Sequence, residues 1–163
     1  MRRSLSAAIF LIITAVMAAS ASAEGPALKG EMDARKIVVD GENREIAVPA
    51  EQVYPSDMVE YTLNYRNEGD SPASGVDLVG PVPSGTVYLD KTASDIEGLE
   101  TRFSIDGGRT FHAAPVMYEV VRKDGTVEMR AATPDMITHI RWSVDGFFNA
   151  GQEVTVSYRV QVK

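Results

Sequence analysis

From Val59 to Arg66 the side chains alternate. Val59, Tyr61, Leu63 and Tyr65 share one side of an extended chain, and Glu60, Thr62, Asn64 and Arg66 share the other. A period of two is the pattern of a half-buried strand. It breaks at Asn67-Glu68-Gly69-Asp70-Ser71-Pro72, where turn-forming residues cluster, and resumes at Gly75-Val76-Asp77-Leu78-Val79. The C-terminal segment is more regular still: Val154, Val156, Tyr158, Val160 and Val162 face one way, with Thr155, Ser157, Arg159 and Gln161 opposite. Between Ile137 and Val144 the same rhythm sets Thr138, Ile140, Trp142 and Val144 against His139, Arg141 and Ser143. A sugar-stacking surface tryptophan is one reading of Trp142. Its phase with Ile140 and Val144 instead predicts a core position, with the ring nitrogen bonded nearby.

Shorter runs fill the rest of the chain. Ala34–Val39 and Arg44–Val48 are strand-like, and Pro49, which has no donor for a ladder, closes the second. The Asp40-Gly41-Glu42-Asn43 segment between them reads either as a hairpin turn or as the point where one edge strand crosses between sheets. Glu100–Ile105 predicts a further strand. Val116–Arg122 and Thr126–Ala131, joined by Lys123-Asp124-Gly125, predict a hairpin. With no helical period evident after the N-terminal segment, the expected class is all-β: antiparallel sheets packed as a sandwich.

The stretch from Val53 to Leu89 resembles the DUF11 repeat, an immunoglobulin-like extracytoplasmic module of bacterial cell-surface proteins. The resemblance rests on Tyr54-Pro55-Ser56-Asp57, the strand Val59–Leu63, Asn67 and Gly69 in the turn, Ala73 and Val76 after it, and Pro83-Ser84-Gly85-Thr86 leading to Tyr88. It extends more loosely over Ile137–Lys163, with Ala150-Gly151-Gln152 leading into the last strand. Where the family often has an Asp, this chain has Gly80-Pro81-Val82-Pro83, so no acidic binding role carries over to that position. The resemblance implies an immunoglobulin-like antiparallel β-sandwich with an inserted hairpin region spanning Asp90–Asp135. It also implies a first strand along the module's edge, which favours the sheet-crossing reading of Asp40–Asn43.

At the N-terminus, Arg2 and Arg3 precede an apolar run, Ala7–Ala19, that closes on Ala21-Ser22-Ala23. This is the layout of a secretory signal peptide. The run is shorter than the ~20 residues of a membrane span, and no cysteine follows it to carry a lipid. The expected organisation is a signal peptide over 1–23, cleaved after Ala23, and a single sandwich domain over 24–163, periplasmic or extracellular and without membrane insertion. Removing residues 1–23, which hold two Arg and no acid, leaves 140 residues and takes the net charge from −7 to −9. Such an acidic chain is repelled by nucleic acid and by anionic membrane. Zero cysteines leave the fold to packing alone.

The segment Ser104-Ile105-Asp106-Gly107-Gly108-Arg109-Thr110-Phe111 fits the Asp-box pattern Ser-x-Asp-x-Gly-x-Thr-aromatic, found on hairpins of sialidases and other β-proteins. Locally it predicts an Asp106 carboxylate accepting from amides of the Gly107-Gly108 turn, with Phe111 returning to the core. A single copy points to a hairpin rather than to glycosidase chemistry. No Gly-x-Ser-x-Gly elbow and no phosphate-binding glycine loop occurs. His112 and His139 are placed in a turn and on an outward strand face, and zinc would require them to converge with carboxylates. Asp90, Asp95, Glu97 and Glu100 lack the regular spacing of a calcium loop. No catalytic residue, cofactor or metal ligand is therefore assigned. Two function classes follow: a non-catalytic envelope module that is structural or contacts another protein or a glycan, and an accessory carbohydrate-binding protein or glycan hydrolase. The second draws on the Asp-box and on the aromatics Tyr54, Tyr88 and Phe111, and an exposed coplanar pair of those rings would favour it.

Overall fold

The computed structural model describes residues 25–163; the expected signal peptide lies outside the described residues. The chain is all-β. Twelve strands are formed: β1 (Leu28–Val39), β2 (Glu45–Pro49), β3 (Met58–Asn67), β4 (Ala73–Ser74), β5 (Asp77–Pro81), β6 (Thr86–Tyr88), β7 (Leu99–Ser104), β8 (Met117–Val121), β9 (Val127–Ala131), β10 (His139–Val144), β11 (Phe147–Phe148) and β12 (Glu153–Val162). A five-stranded antiparallel sheet runs β2-β1-β3-β12-β6, and a three-stranded one runs β5-β10-β7. Two small pairs, β4 with β11 and β8 with β9, complete the fold.

The alternating sequences dictate how the large sheets meet. Val59 and Leu63 of β3 and Val156, Tyr158 and Val160 of β12 point to one side, and Leu78 of β5 with Ile140 and Trp142 of β10 meet them from the other; all are buried. In register, Tyr158 lies opposite Tyr61 and Val156 opposite Leu63. The Tyr158 ring links the layers, stacking on Tyr61 at 5.5 Å and tilting against Trp142 at 6.1 Å between centroids. Gly80 sits where a Cβ would come within 2.6 Å of the Tyr158 ring, so only glycine lets β5 approach that closely. Trp142 is fully buried, and its indole N–H donates to the Ser94 carbonyl at 2.9 Å.

Three expectations need correction. The Asp40–Asn43 segment does not cross between sheets. β1 and β2 form a hairpin in the same sheet, with Val39 opposite Glu45. The Asp40 carboxylate accepts from the amides of Glu42 and Arg44 at 2.8 and 2.9 Å, and Asn43 takes a left-handed φ of 61°. These local bonds close a turn and outweigh the crossing suggested by the resemblance. Nor is the segment 90–135 hairpin material throughout, because β7 forms an edge of the three-stranded sheet beside β10. The hairpin of this segment is β8–β9, with Asp124 holding its turn through the amide and hydroxyl of Thr126. Finally, Phe111 does not enter the core. Its ring lies on the outer face of β10, with the Arg141 guanidinium 4.5 Å from its centroid.

The turn after β3 is built around Asn67, which is fully buried. Its amide oxygen accepts from Ala27 and Gly69 N–H, both at 3.1 Å, and its amide nitrogen donates to the carbonyls of Ser71 and Phe148 at 2.8 and 3.0 Å. Every hydrogen-bonding position of the side chain is used. One residue thus ties the start of β1, the turn and β11 together.

Candidate functional site

The Asp-box turn leaves β7 at Ser104 and returns at His112, which pairs with Phe103 through two backbone bonds of 2.8 and 2.9 Å. Asp106 Oδ1 accepts from the amides of Arg109 and Thr110, each at 3.0 Å, and from the Ser104 hydroxyl at 2.7 Å; Oδ2 accepts from the Thr110 hydroxyl at 2.7 Å. The partners therefore lie beyond the two glycines. Gly107 N–H donates to Thr138 Oγ1 at 3.1 Å, and Gly108 N–H donates to Ser104 Oγ at 2.9 Å. The amide and then the hydroxyl of Thr110, followed by Ser104 and Arg109, hold the Asp106 carboxyl far below the usual carboxylate range. A carboxylate so stabilised is a poor proton donor or acceptor near neutral pH. What it does is fix the loop.

The aromatics noted from the sequence do not converge. Tyr54 is 60% exposed, with the Lys36 ammonium 5.7 Å from its ring centroid; Tyr88 is buried; Phe111 lies under Arg141. Close ring pairs among the described residues are Tyr61 with Tyr158, Tyr88 with Phe103, and Trp142 with Tyr158. Neither Tyr54 nor Phe111 belongs to one, so the exposed coplanar pair expected of a glycan platform is not formed by these rings. His112 Nε2 lies 3.2 Å from Thr110 Oγ1, and His139 Nδ1 lies 3.2 Å from Thr138 Oγ1. Among the described residues no cluster of three or more His, Asp or Glu is arranged to hold a metal ion. Nor is any helix among them long and apolar enough to cross a membrane.

A concave, largely apolar feature lies at the root of the β8–β9 hairpin. It is a cleft of about 390 Å³ whose walls come from Tyr88, Phe103, Val116, Ala132, Pro134 and Ile137, with Asp90 and Lys91 at the rim. A second hollow of about 250 Å³ adjoins it through Tyr88, Phe103, Asp90 and Lys91. The Tyr88 and Phe103 rings meet at 5.6 Å, and the Tyr88 hydroxyl accepts from the Ala93 amide at 3.2 Å. Burial pushes the Tyr88 phenol above its ordinary pKa. Lys91 holds a left-handed φ of 61° in the turn closed by Thr92 N–H to the Leu89 carbonyl at 3.2 Å. The size falls in the lower part of the range of ligand pockets. An apolar floor with one acid and one base at its mouth suits recognition of an apolar side chain or ring. It offers no nucleophile paired with a base.

Sequence reasoning placed Tyr88 near a possible contact surface but did not find the cleft. Its walls come from four separate stretches, 88–91, 103, 114–116 and 132–137, and no pattern in the chain signals their convergence. Comparison with protein-family models, with curated proteins and with solved structures returns no match for this chain.

Proposed function

We propose that the protein is an exported, non-catalytic β-sandwich module of the bacterial cell envelope that contacts another protein or a glycan. The observation that carries this reading is the state of Asp106. The one motif suggestive of glycoside chemistry has both carboxylate oxygens engaged by donors of its own turn. The signal-peptide pattern of residues 1–23 and the resemblance of Val53–Leu89 to the DUF11 repeat support export and an envelope setting. The apolar cleft between Tyr88, Phe103 and the hairpin root is the contact surface in this reading.

The test uses Ala132→Phe, which fills the cleft from a partly buried position on its wall. Wild type and variant are compared for retention of envelope proteins and of arrayed glycans, with folding checked by circular dichroism. A ligand held by the wild type and lost by the folded variant fits the proposal. Binding that survives the filled cleft places contact elsewhere, and hydrolysis of any glycan by the wild type contradicts the non-catalytic reading.

A further inference from the structure

Half of β1 is an open sheet edge. β2 pairs only with Arg35–Val39, whereas β3 pairs with β1 from Leu28 to Ile37. Ala27 turns its carbonyl toward the β3 side, accepting from Glu68 N–H at 2.7 Å. By the alternation of an antiparallel ladder, Leu28, Gly30 and Met32 then direct N–H and C=O the other way, where among the described residues no partner lies. Leu28 and Met32 are 47% and 45% exposed on the inner face of the sheet, and Lys29 and Glu31, which ion-pair at 3.0 Å, occupy the outer face. The open stretch has no proline and no paired bulge; the devices it has against indiscriminate pairing are its charges, Lys29 and Glu31, which admit only a strand that matches them.

We propose that this edge pairs with the same edge of a second copy, antiparallel about a two-fold axis at Gly30, joining two five-stranded sheets into one. Charge and apolar matching together select the occupant and the register. A slip by one residue would put apolar positions opposite charged ones on the wrong face, which leaves the face-matched registers. Centring on Lys29 sets Lys29 against Lys29; centring on Glu31 sets Glu31 against Glu31 at the axis and, although Lys29 then meets Asp33, leaves Met32 opposite Gly30 with no apolar side chain to match it. Centring on Met32 sets Glu31 against Asp33. Like charges directly opposite destabilise a pair. Centring on Gly30 sets Lys29 opposite Glu31 twice and Leu28 opposite Met32 twice, so both faces match. The strand is self-complementary in that register, and about six backbone bonds form between Leu28, Gly30 and Met32 of the two copies. Gly30 suits the axis. A Cβ there would lie 2.7 Å from the Tyr65 ring, so that ring covers the glycine's inner face in each copy and the two rings approach over the junction. Pairing limited to strands of roughly 17 Å is at the small end of specific interfaces, so dissociation lies in the micromolar range or weaker.

The test is a charge swap read by sedimentation of the purified protein from about 10 µM to 1 mM, the range an interface of this size requires. The wild type shows a concentration-dependent dimer. K29E or E31K alone places two like-charge pairs across the axis and weakens the dimer by about tenfold or more. The double variant K29E/E31K restores it. Because the two side chains are exposed, the melting temperature stays near wild type in all three, which separates lost pairing from lost folding. V121K, on the exposed β8 strand, leaves the dimer unchanged. A protein monomeric throughout the range overturns the proposal, even if some other protein's strand occupies the edge. So does a dimer indifferent to the single reversals, or one that the double swap fails to restore. The cleft experiment reads a different surface, so either reading can fail without the other.

Discussion

Removal of Trp142 probes the packing between the two large sheets. The side chain is fully buried between β10 and β12, near the Tyr158 ring, with its N–H bonded to the Ser94 carbonyl. Trp142→Ala removes the indole and leaves a cavity that the surrounding strands cannot collapse, because both are mid-sheet. Deletions of this kind cost about 3–5 kcal/mol, a large share of the roughly 5–15 kcal/mol that holds a domain folded. Trp142→Phe separates packing from hydrogen bonding. It keeps an aromatic ring near Tyr158 and removes the donor. The Ser94 carbonyl still accepts from Thr101 Oγ1 at 3.3 Å, so it is not orphaned, and the expected loss is about 1–2 kcal/mol. Urea unfolding followed by far-ultraviolet circular dichroism is the assay, since the only tryptophan cannot report on its own removal. The midpoint should shift with little change in slope. A loss below about 1 kcal/mol for Trp142→Ala, the size of a surface change, would refute the sandwich packing described here.

Other expected outcomes are these. Asn67→Ala removes four hydrogen bonds, three part-buried and one buried, from a fully buried side chain, and should destabilise by about 3 kcal/mol or more in the same urea assay. Asn67→Asp should also destabilise, since an acceptor then faces the carbonyls of Ser71 and Phe148. Acid should weaken the fold through Asp106. Its pKa is lowered on folding, so the contribution is complete above the unfolded value near pH 4 and declines as pH falls toward the folded one. Asp106→Asn should flatten that acid limb in a melting-temperature titration. Mass spectrometry of the exported protein should find Glu24 as the first residue, and a retained N-terminus in the membrane fraction would contradict the signal-peptide reading.

The elements legible in the sequence were those with a strict period of two and a buried face. β12 and β10 place Val156, Tyr158, Val160, Ile140 and Trp142 as their alternation demands. The β1–β2 turn was legible in its Asp-Gly pair, but the resemblance to the DUF11 repeat argued the other way, and the capping bonds of Asp40 prevailed. Phe111 misled because a single aromatic after a turn carries no period to say which face it joins. The partners of Asp106 were legible in kind but displaced by two residues, since the left-handed Gly107 and Gly108 turn their own amides to Thr138 and Ser104. The cleft left no trace in the chain, as its walls are brought together only by tertiary packing.

The bonds made by Asp106 cast the Asp-box carboxylate as a group that fixes its own loop. Asp106→Ala and Asp106→Asn test that role when melting temperature and glycoside turnover are measured on the same samples. Asn keeps the oxygen that accepts from Ser104, Arg109 and Thr110, and loses only the acceptor facing the Thr110 hydroxyl. The melting temperature should be clearly lowered in the Ala variant and close to wild type in the Asn variant, with no turnover from any of the three proteins. Turnover by the wild type that vanishes in the Asn variant at unchanged melting temperature would contradict that role.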